Sequence, residues 1–98
     1  MRLSDDNLRG RTVIASDGLA IGEVGVLFLD SEAWRVESLQ VKLRKDVAER
    51  LGAGHGMFRA GVLEIPTQMV QSVGDAVVLS VAVDELRQVL PGASEIGA

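Results

Sequence analysis

The sequence predicts a small, mainly β fold: an antiparallel β-barrel of about six strands, with one short helix near 46–51 and another near 84–90. Short runs rich in Val and Leu alternate apolar with polar residues, and glycine-containing turns separate these runs. The chain has 98 residues, enough for one domain, with 11 Gly against only 2 Pro. Closing the sheet would remove the edges that such a Val-rich chain otherwise exposes to aggregation.

The first two strands are predicted to form a hairpin. Residues 12–16 and 20–29 are apolar runs, and Asp17-Gly18 between them predicts a tight primed turn, because such turns require positive φ. The second run changes its apolar phase near Gly25, although side chains alternate between faces with a period of two. A glycine at a phase change predicts a β-bulge, which bends the strand as barrel closure requires.

Residues 35–44 show the most regular alternation and predict the third strand. The apolar set is expected to face the core: Leu39, Val41 and Leu43. The polar set is expected to face solvent: Ser38, Gln40, Lys42 and Arg44. Residues 46–51 predict a helix, because Asp46 and Glu49 have the spacing of a capping box and Gly52 follows as a stop.

The second half repeats these patterns. Residues 58–66 predict a strand that ends at Pro66, and residues 67–73 fit either a helical turn or a strand. Gly74-Asp75 predicts a second tight turn before a last strand over 76–81, and a helix over 84–90 ends at Pro91-Gly92. We therefore expect a loose lead over 1–7, one domain over 8–90 and a frayed tail over 91–98.

Charge and composition exclude several classes of function. The net charge of −4 argues against direct binding of nucleic acid, which requires clustered Lys and Arg side chains. The chain has no Cys, so disulfides, thiolate metal sites and a Cys nucleophile are excluded. The polar N-terminus does not resemble a signal peptide, and no apolar run is long enough to span a bilayer. We expect a cytoplasmic location without membrane insertion.

No residue set predicts catalysis, a cofactor or a metal. His55 is the only histidine and lies within a glycine-rich loop over 52–56 that lacks the phosphate-loop pattern. The acidic pairs Asp5-Asp6 and Asp30/Glu32 lack the spacing of a calcium loop and are expected to serve turns and caps. No hydroxyl has a base placed beside it in a motif. We expect that the protein is not an enzyme.

Two apolar groups are candidates for a protein interface. Trp34, with Met57 and Phe58, either plugs one end of the barrel or contacts a partner. The apolar face of the last helix either caps the core or docks on a partner, and its amphipathic pattern favours capping. The candidate interface residues are Trp34, Met57, Phe58, Leu86, Val89 and Leu90.

The order of several motifs resembles the PRC-barrel domain over residues 8–82. These motifs are LRGRTV, Ser16-Asp17-Gly18 with Ile21-Gly22-Glu23-Val24, the strand VESLQV, Leu63-Glu64-Ile65-Pro66 and the segment VGDAVVL. This family is a small β-barrel in the cytoplasmic part of the photosynthetic reaction-centre H subunit. It also occurs at the C-terminus of a bacterial ribosome maturation factor and as short stand-alone proteins.

The resemblance implies a non-enzymatic module that docks another protein, without catalytic residues or cofactors. The chain shows neither the additional barrel of the maturation factor nor the transmembrane helix of the H subunit, so we expect the stand-alone type. Some archaeal members of that type are adaptors in cell division. We expect an adaptor that forms a homodimer, because a chain this small buries little core. The alternative is a ribosome maturation or RNA-processing factor that binds a ribosomal protein.

Overall fold

The computed structural model describes residues 2–51 and 61–89, with side chains up to Leu86. The helices are α1 (Asp5–Leu8), α2 (Lys45–Arg50) and α3 (Val83–Val89). The strands are β1 (Thr12–Ile14), β2 (Ala20–Asp30), β3 (Arg35–Leu43), β4 (Val62–Pro66), β5 (Val70–Val73) and β6 (Val77–Leu79), with a 3-10 turn over Thr67–Met69. The ambiguous segment 67–73 thus contains both a helical turn and a strand. None of the described helices is long and apolar enough to cross a membrane.

All six strands belong to one mixed sheet in the order β4-β3-β2-β1-β6-β5. Four neighbouring pairs are antiparallel, but β1 and β6 run parallel, with Val13 opposite Val77. The prediction of a mainly β fold with about six strands is confirmed, and the all-antiparallel sheet is wrong. No hairpin joins β1 to β6, so nothing in the local sequence forces them to run in opposite directions.

The sheet curls but does not close into a barrel. Its edge strands β4 and β5 are consecutive in the chain, and no ladder joins them in the described residues. Pro66 ends β4, and the Met69 carbonyl oxygen then accepts hydrogen bonds from the Ser80 amide at 2.8 Å and the Ser80 hydroxyl at 3.2 Å. The 3-10 turn is therefore tied to the end of β6, and β5 pairs with β6 and not with β4.

The β1–β2 hairpin is confirmed, but its turn differs from the predicted one. The Gly18 amide donates to the Ala15 carbonyl oxygen, and the Ala15 amide donates to the Leu19 carbonyl oxygen, both at 2.9 Å. Gly18 has a φ of +87°, whereas Asp17 does not have positive φ. This is a three-residue loop in which a type I turn precedes a left-handed glycine, so only one of the turn residues needs positive φ.

The bulge predicted at Gly25 is confirmed, because the β2–β3 register shifts between Val24 and Val26. Gly22 has a different role. A Cβ atom at this position would collide with the backbone carbonyl oxygen of Lys42. The two strands can approach this closely only because residue 22 has no side chain.

One apolar core lies inside the curled sheet, and helices cover its end. It contains the inward residues of the sheet, including Val41, and the helix residues Leu51, Val83 and Leu86. Arg50 of α2 donates two hydrogen bonds to Asp84 of α3, at 3.1 and 3.0 Å. The prediction that the last helix caps the core is thus confirmed, and both predicted helices are present.

Three local predictions need correction. Residues 5–8 form α1 inside the predicted loose lead, because the side chains of Ser4 and Asn7 cap each other's backbone amides. Helix α2 begins after Arg44, whose side chain makes no capping hydrogen bond, so the Asp46–Glu49 box is not formed. Ser38 is only 3% exposed despite its outward position, and its hydroxyl donates to Glu64 at 2.5 Å.

Candidate interaction surface

The β2–β3 hairpin extends past the strand that neighbours it. β1 pairs with β2 only as far as Glu23. Gly10 then donates to the Val24 carbonyl oxygen at 2.8 Å, and Val24 donates to the Arg11 carbonyl oxygen at 2.9 Å. Upstream of Gly10 the chain enters α1, so residues 26–30 pair with β3 alone. The outer half of β2 is consequently an open strand edge among the described residues.

Exposed apolar side chains concentrate on this hairpin. Six large apolar residues are exposed among the described side chains, and four of them belong to the hairpin: Val26 (42%), Phe28 (38%), Leu29 (53%) and Trp34 (79%). Single exposed apolar residues are ordinary on protein surfaces, whereas a group of them marks a site of interaction.

Trp34 is held outward by an unusual backbone conformation. Its φ is +56°, and it is the only described residue other than glycine with positive φ. The Trp34 amide donates to the Asp30 carbonyl oxygen at 2.8 Å, and the Asp30 carboxylate accepts from the Glu32 amide at 3.0 Å. A bulky L-residue in this region costs about 1–2 kcal/mol. Trp34 is 79% exposed and therefore does not plug the core, whereas its contact with a partner stays a prediction.

The surroundings of the hairpin are acidic. The hairpin tip (residues 30–37) and the segment 5–9, which contains α1, together carry five carboxylates and only two guanidinium groups, those of Arg9 and Arg35. These carboxylates belong to Asp5, Asp6, Asp30, Glu32 and Glu37. Arg9 is already engaged by Asp5 at 3.3 Å and Asp6 at 3.6 Å. The seven side chains carry a formal charge of −3, most of the chain's net −4.

An open groove of about 330 Å³ separates α1 from β2. Asp5 and Arg9 form one wall, and Gly25, Val26, Leu27 and Leu29 form the other. The wall formed by β2 consists of nearly consecutive residues, so the groove follows the open strand edge. A charged helix surface thus faces an apolar strand across the groove.

The other predicted interface residues lie elsewhere. Leu86 is fully buried in the core and is not available to a partner. Met57, Phe58 and Leu90, with the side chain of Val89, lie outside the described part of the chain, as do His55 and the glycine-rich loop.

Asp30 holds the hairpin loop, as expected for a turn residue, whereas Asp5 and Asp6 lie inside the first turn of α1, whose N-cap is Ser4. Within residues 2–51 and 61–89, no three His, Asp or Glu side chains are grouped so that they could hold a metal ion.

Sequence reasoning found Trp34 but missed Val26, Phe28 and Leu29. The available signal was the run of four apolar residues over 26–29. Such a run places apolar side chains on both faces of a strand. The apolar side chains on the two faces are then either buried or, as on this projecting hairpin, partly exposed.

No protein-family model matches the chain, and no curated protein matches it significantly. The resemblance to the PRC-barrel domain therefore stays a prediction. The geometry of the hairpin, and not a relative, carries the functional argument.

Proposed function

We propose that this chain is a non-enzymatic protein–protein interaction module of the PRC-barrel type, an adaptor that docks a protein partner through its β2–β3 hairpin. The observation that carries the proposal is the outward position of Trp34 at +56° φ. An exposed indole in an unfavourable backbone conformation contributes little to folding. A partner that buries it would gain an anchor of the residue type most enriched in interface hot spots.

The size of the apolar surface supports a protein as the partner. From the typical areas of such side chains, the exposed parts of Val26, Phe28, Leu29 and Trp34 amount to about 400 Å². One side of a standard protein interface buries about 800 Å². The hairpin therefore supplies about half of one side, and the polar and acidic groups around it would form the rim.

Self-association is the second part of the proposal. Among the described residues, β4 and β5 are the edge strands of the sheet, so another copy could pair with their outer backbone groups, and a small core gains stability from such pairing. Light scattering on the purified chain tests the homodimer. A monomeric mass at every concentration would exclude it without affecting the docking of another protein.

The proposed setting is the cytoplasm, where an adaptor of this type would serve an assembly such as a cell-division scaffold. The test is affinity purification of the tagged chain from native lysate, with quantitative mass spectrometry of the proteins retained. The variants are Trp34→Asn and, as a matched control on an exposed apolar residue at the opposite end of β2, Leu19→Asn.

We expect Trp34→Asn to lose at least one protein that wild type and Leu19→Asn both retain. Asparagine tolerates the left-handed conformation, so the variant keeps the loop while it removes the indole. A set of retained proteins that Trp34→Asn leaves unchanged would overturn docking through the hairpin.

A further inference from the structure

We infer that the open edge of β2 is a strand-addition site, where residues 26–30 pair with an extended partner segment that alternates apolar residues with Lys or Arg. This inference rests on the proposed docking function and specifies how the partner is recognised. It follows from the backbone, the groove and the charges of the hairpin.

Within residues 2–51 and 61–89, the backbone of β2 has unpaired groups at this edge. The amide and carbonyl of Val24 bond to Arg11 and Gly10, so they point away from β3. After the bulge at Gly25, Val26 lies opposite Gln40, and the alternation of an antiparallel ladder directs the groups of Leu27 to the open side. A second register shift follows Phe28, but its extra residue is on β3, so the alternation along β2 continues to Leu29. Among the described residues, no hydrogen bond from outside the β2–β3 ladder reaches Leu27 or Leu29.

The groove has the shape that an extended chain requires. It follows residues 25–29 along the strand, a length of about 14 Å at the usual rise of a β-strand. About four residues of a partner strand fit that length. The other edge of the hairpin is not equally open, because the Thr67 hydroxyl donates to the Val36 carbonyl oxygen at 2.7 Å.

The two faces of an added strand would meet different surroundings. Side chains on one face would lie beside Val26 and Phe28, which are apolar and partly exposed. Side chains on the other face would lie in the groove that Asp5 and Arg9 line. Asp5 and Asp6 both pair with Arg9, so this end of α1 keeps one negative charge in excess. Since successive residues of a strand point to opposite faces, the matching segment alternates apolar with basic residues.

The charge also separates this partner from a second copy of the chain. If two copies paired along this edge, their hairpin tips and α1 segments would come together, and each of these regions carries a formal charge of −3. Like charges oppose such an encounter, whereas a basic segment is attracted and its encounter rate rises. A basic, extended segment of another protein is therefore the occupant that the surface fits.

The test uses a blocked hexapeptide of alternating valine and lysine with the full chain. Trp34 is the only tryptophan, so its fluorescence reports on the hairpin alone. We expect a saturable change in emission with a dissociation constant below about 1 mM, and shifts of the Leu27 and Leu29 amide signals in NMR spectra. A peptide with glutamate in place of lysine should bind at least about tenfold more weakly.

Backbone N-methylation of the peptide is the decisive comparison. Only one edge of the added strand faces β2, so methyl groups on alternate residues of that edge should weaken binding at least about tenfold. Methyl groups on the intervening residues should leave it nearly unchanged. Equal effects of the two patterns, or no saturable binding of the unmethylated peptide, would overturn strand addition.

Two further measurements distinguish the possible failures. Asp5→Asn with Asp6→Asn should weaken binding of the lysine peptide about threefold per carboxylate, whereas Asp46→Asn in α2, which follows the end of β3 opposite to the hairpin tip, should not. A dimer with Leu27 and Leu29 amides protected from hydrogen exchange would identify a second copy as the occupant and overturn the inference. If proteins captured from lysate still depend on Trp34 while the peptide fails, the docking function stands and strand addition does not.

Discussion

Replacement of Trp34 separates the effect of its backbone conformation from the effect of its contacts. At a φ of +56°, asparagine is tolerated, whereas a β-branched valine costs about 1–2 kcal/mol more. Trp34 is 79% exposed, so its buried fifth is about 50 Å² and contributes about 1 kcal/mol. We therefore expect the free energy of unfolding of Trp34→Asn to lie within about 1 kcal/mol of the wild-type value. That of Trp34→Val should be about 1–2 kcal/mol lower than that of Trp34→Asn.

Urea unfolding followed by far-UV circular dichroism measures both variants, since the only tryptophan is lost in each. For a domain of this size, each kcal/mol corresponds to about 4–8 °C in melting temperature, which gives an independent check. Equal stabilities of Trp34→Asn and Trp34→Val would refute the positive φ. A loss above about 3 kcal/mol in Trp34→Asn would refute the exposed indole, because that is the cost of truncating a buried aromatic residue.

Two predictions test the fold that supports the hairpin. Gly22→Ala should lower the free energy of unfolding by about 2 kcal/mol or more, because its Cβ would collide with the Lys42 carbonyl oxygen. A Cβ at Gly25 would meet the flexible Lys42 side chain at 3.3 Å and the Gln40 carbonyl oxygen at an ordinary 3.4 Å, so Gly25→Ala should cost less than about 1 kcal/mol. Urea midpoints compare the two, and similar losses would contradict the close approach of the strands at Gly22. Leu86→Ala should lower the free energy of unfolding by about 2–5 kcal/mol, because Leu86 is buried in the core, whereas the exposed Leu29→Ala should lower it by less than about 1 kcal/mol. Thermal unfolding compares the two variants. A melting temperature of Leu86→Ala close to that of wild type would show that α3 does not cap the core.

The predictions that succeeded depend on short-range physics. Alternation over 35–44 correctly placed Leu39 and Val41 in the core, because a strand that covers an apolar core must place every second residue inward. The phase slip near Gly25 correctly predicted a bulge for the same reason. Pairs of residues close in the chain are enough to define such features, and no distant partner has to be known.

The predictions that failed depend on distant strands. The parallel pairing of Val13 with Val77 joins segments that no turn connects, so the local sequence does not determine their direction. Closure of the sheet likewise depends on whether β5 pairs with β4 or with β6, and the hydrogen bonds from Ser80 to Met69 favour β6. Each of these choices is decided by tertiary contacts, which override local preference.

The interaction surface illustrates the same limit. Trp34 could be recognised as a candidate from its residue type, but its exposure depends on a loop held by Asp30. The open edge of β2 exists because β1 has 3 residues whereas β2 has 11. Strand lengths are visible in the sequence only approximately, and which strands become neighbours is not visible at all.

Helix α1 links the open edge to its acidic surroundings. The capping interaction of Ser4 and Asn7 turns the chain into a helix before it can extend β1 along the outer half of β2. The same short helix places Asp5 at the groove beside the edge that it leaves unpaired, and Asp6 follows in the same turn. Charges next to an open edge discourage pairing between identical copies, because each copy brings the same sign. A basic segment meets no such barrier, so the carboxylates that would keep two copies apart would also select the partner.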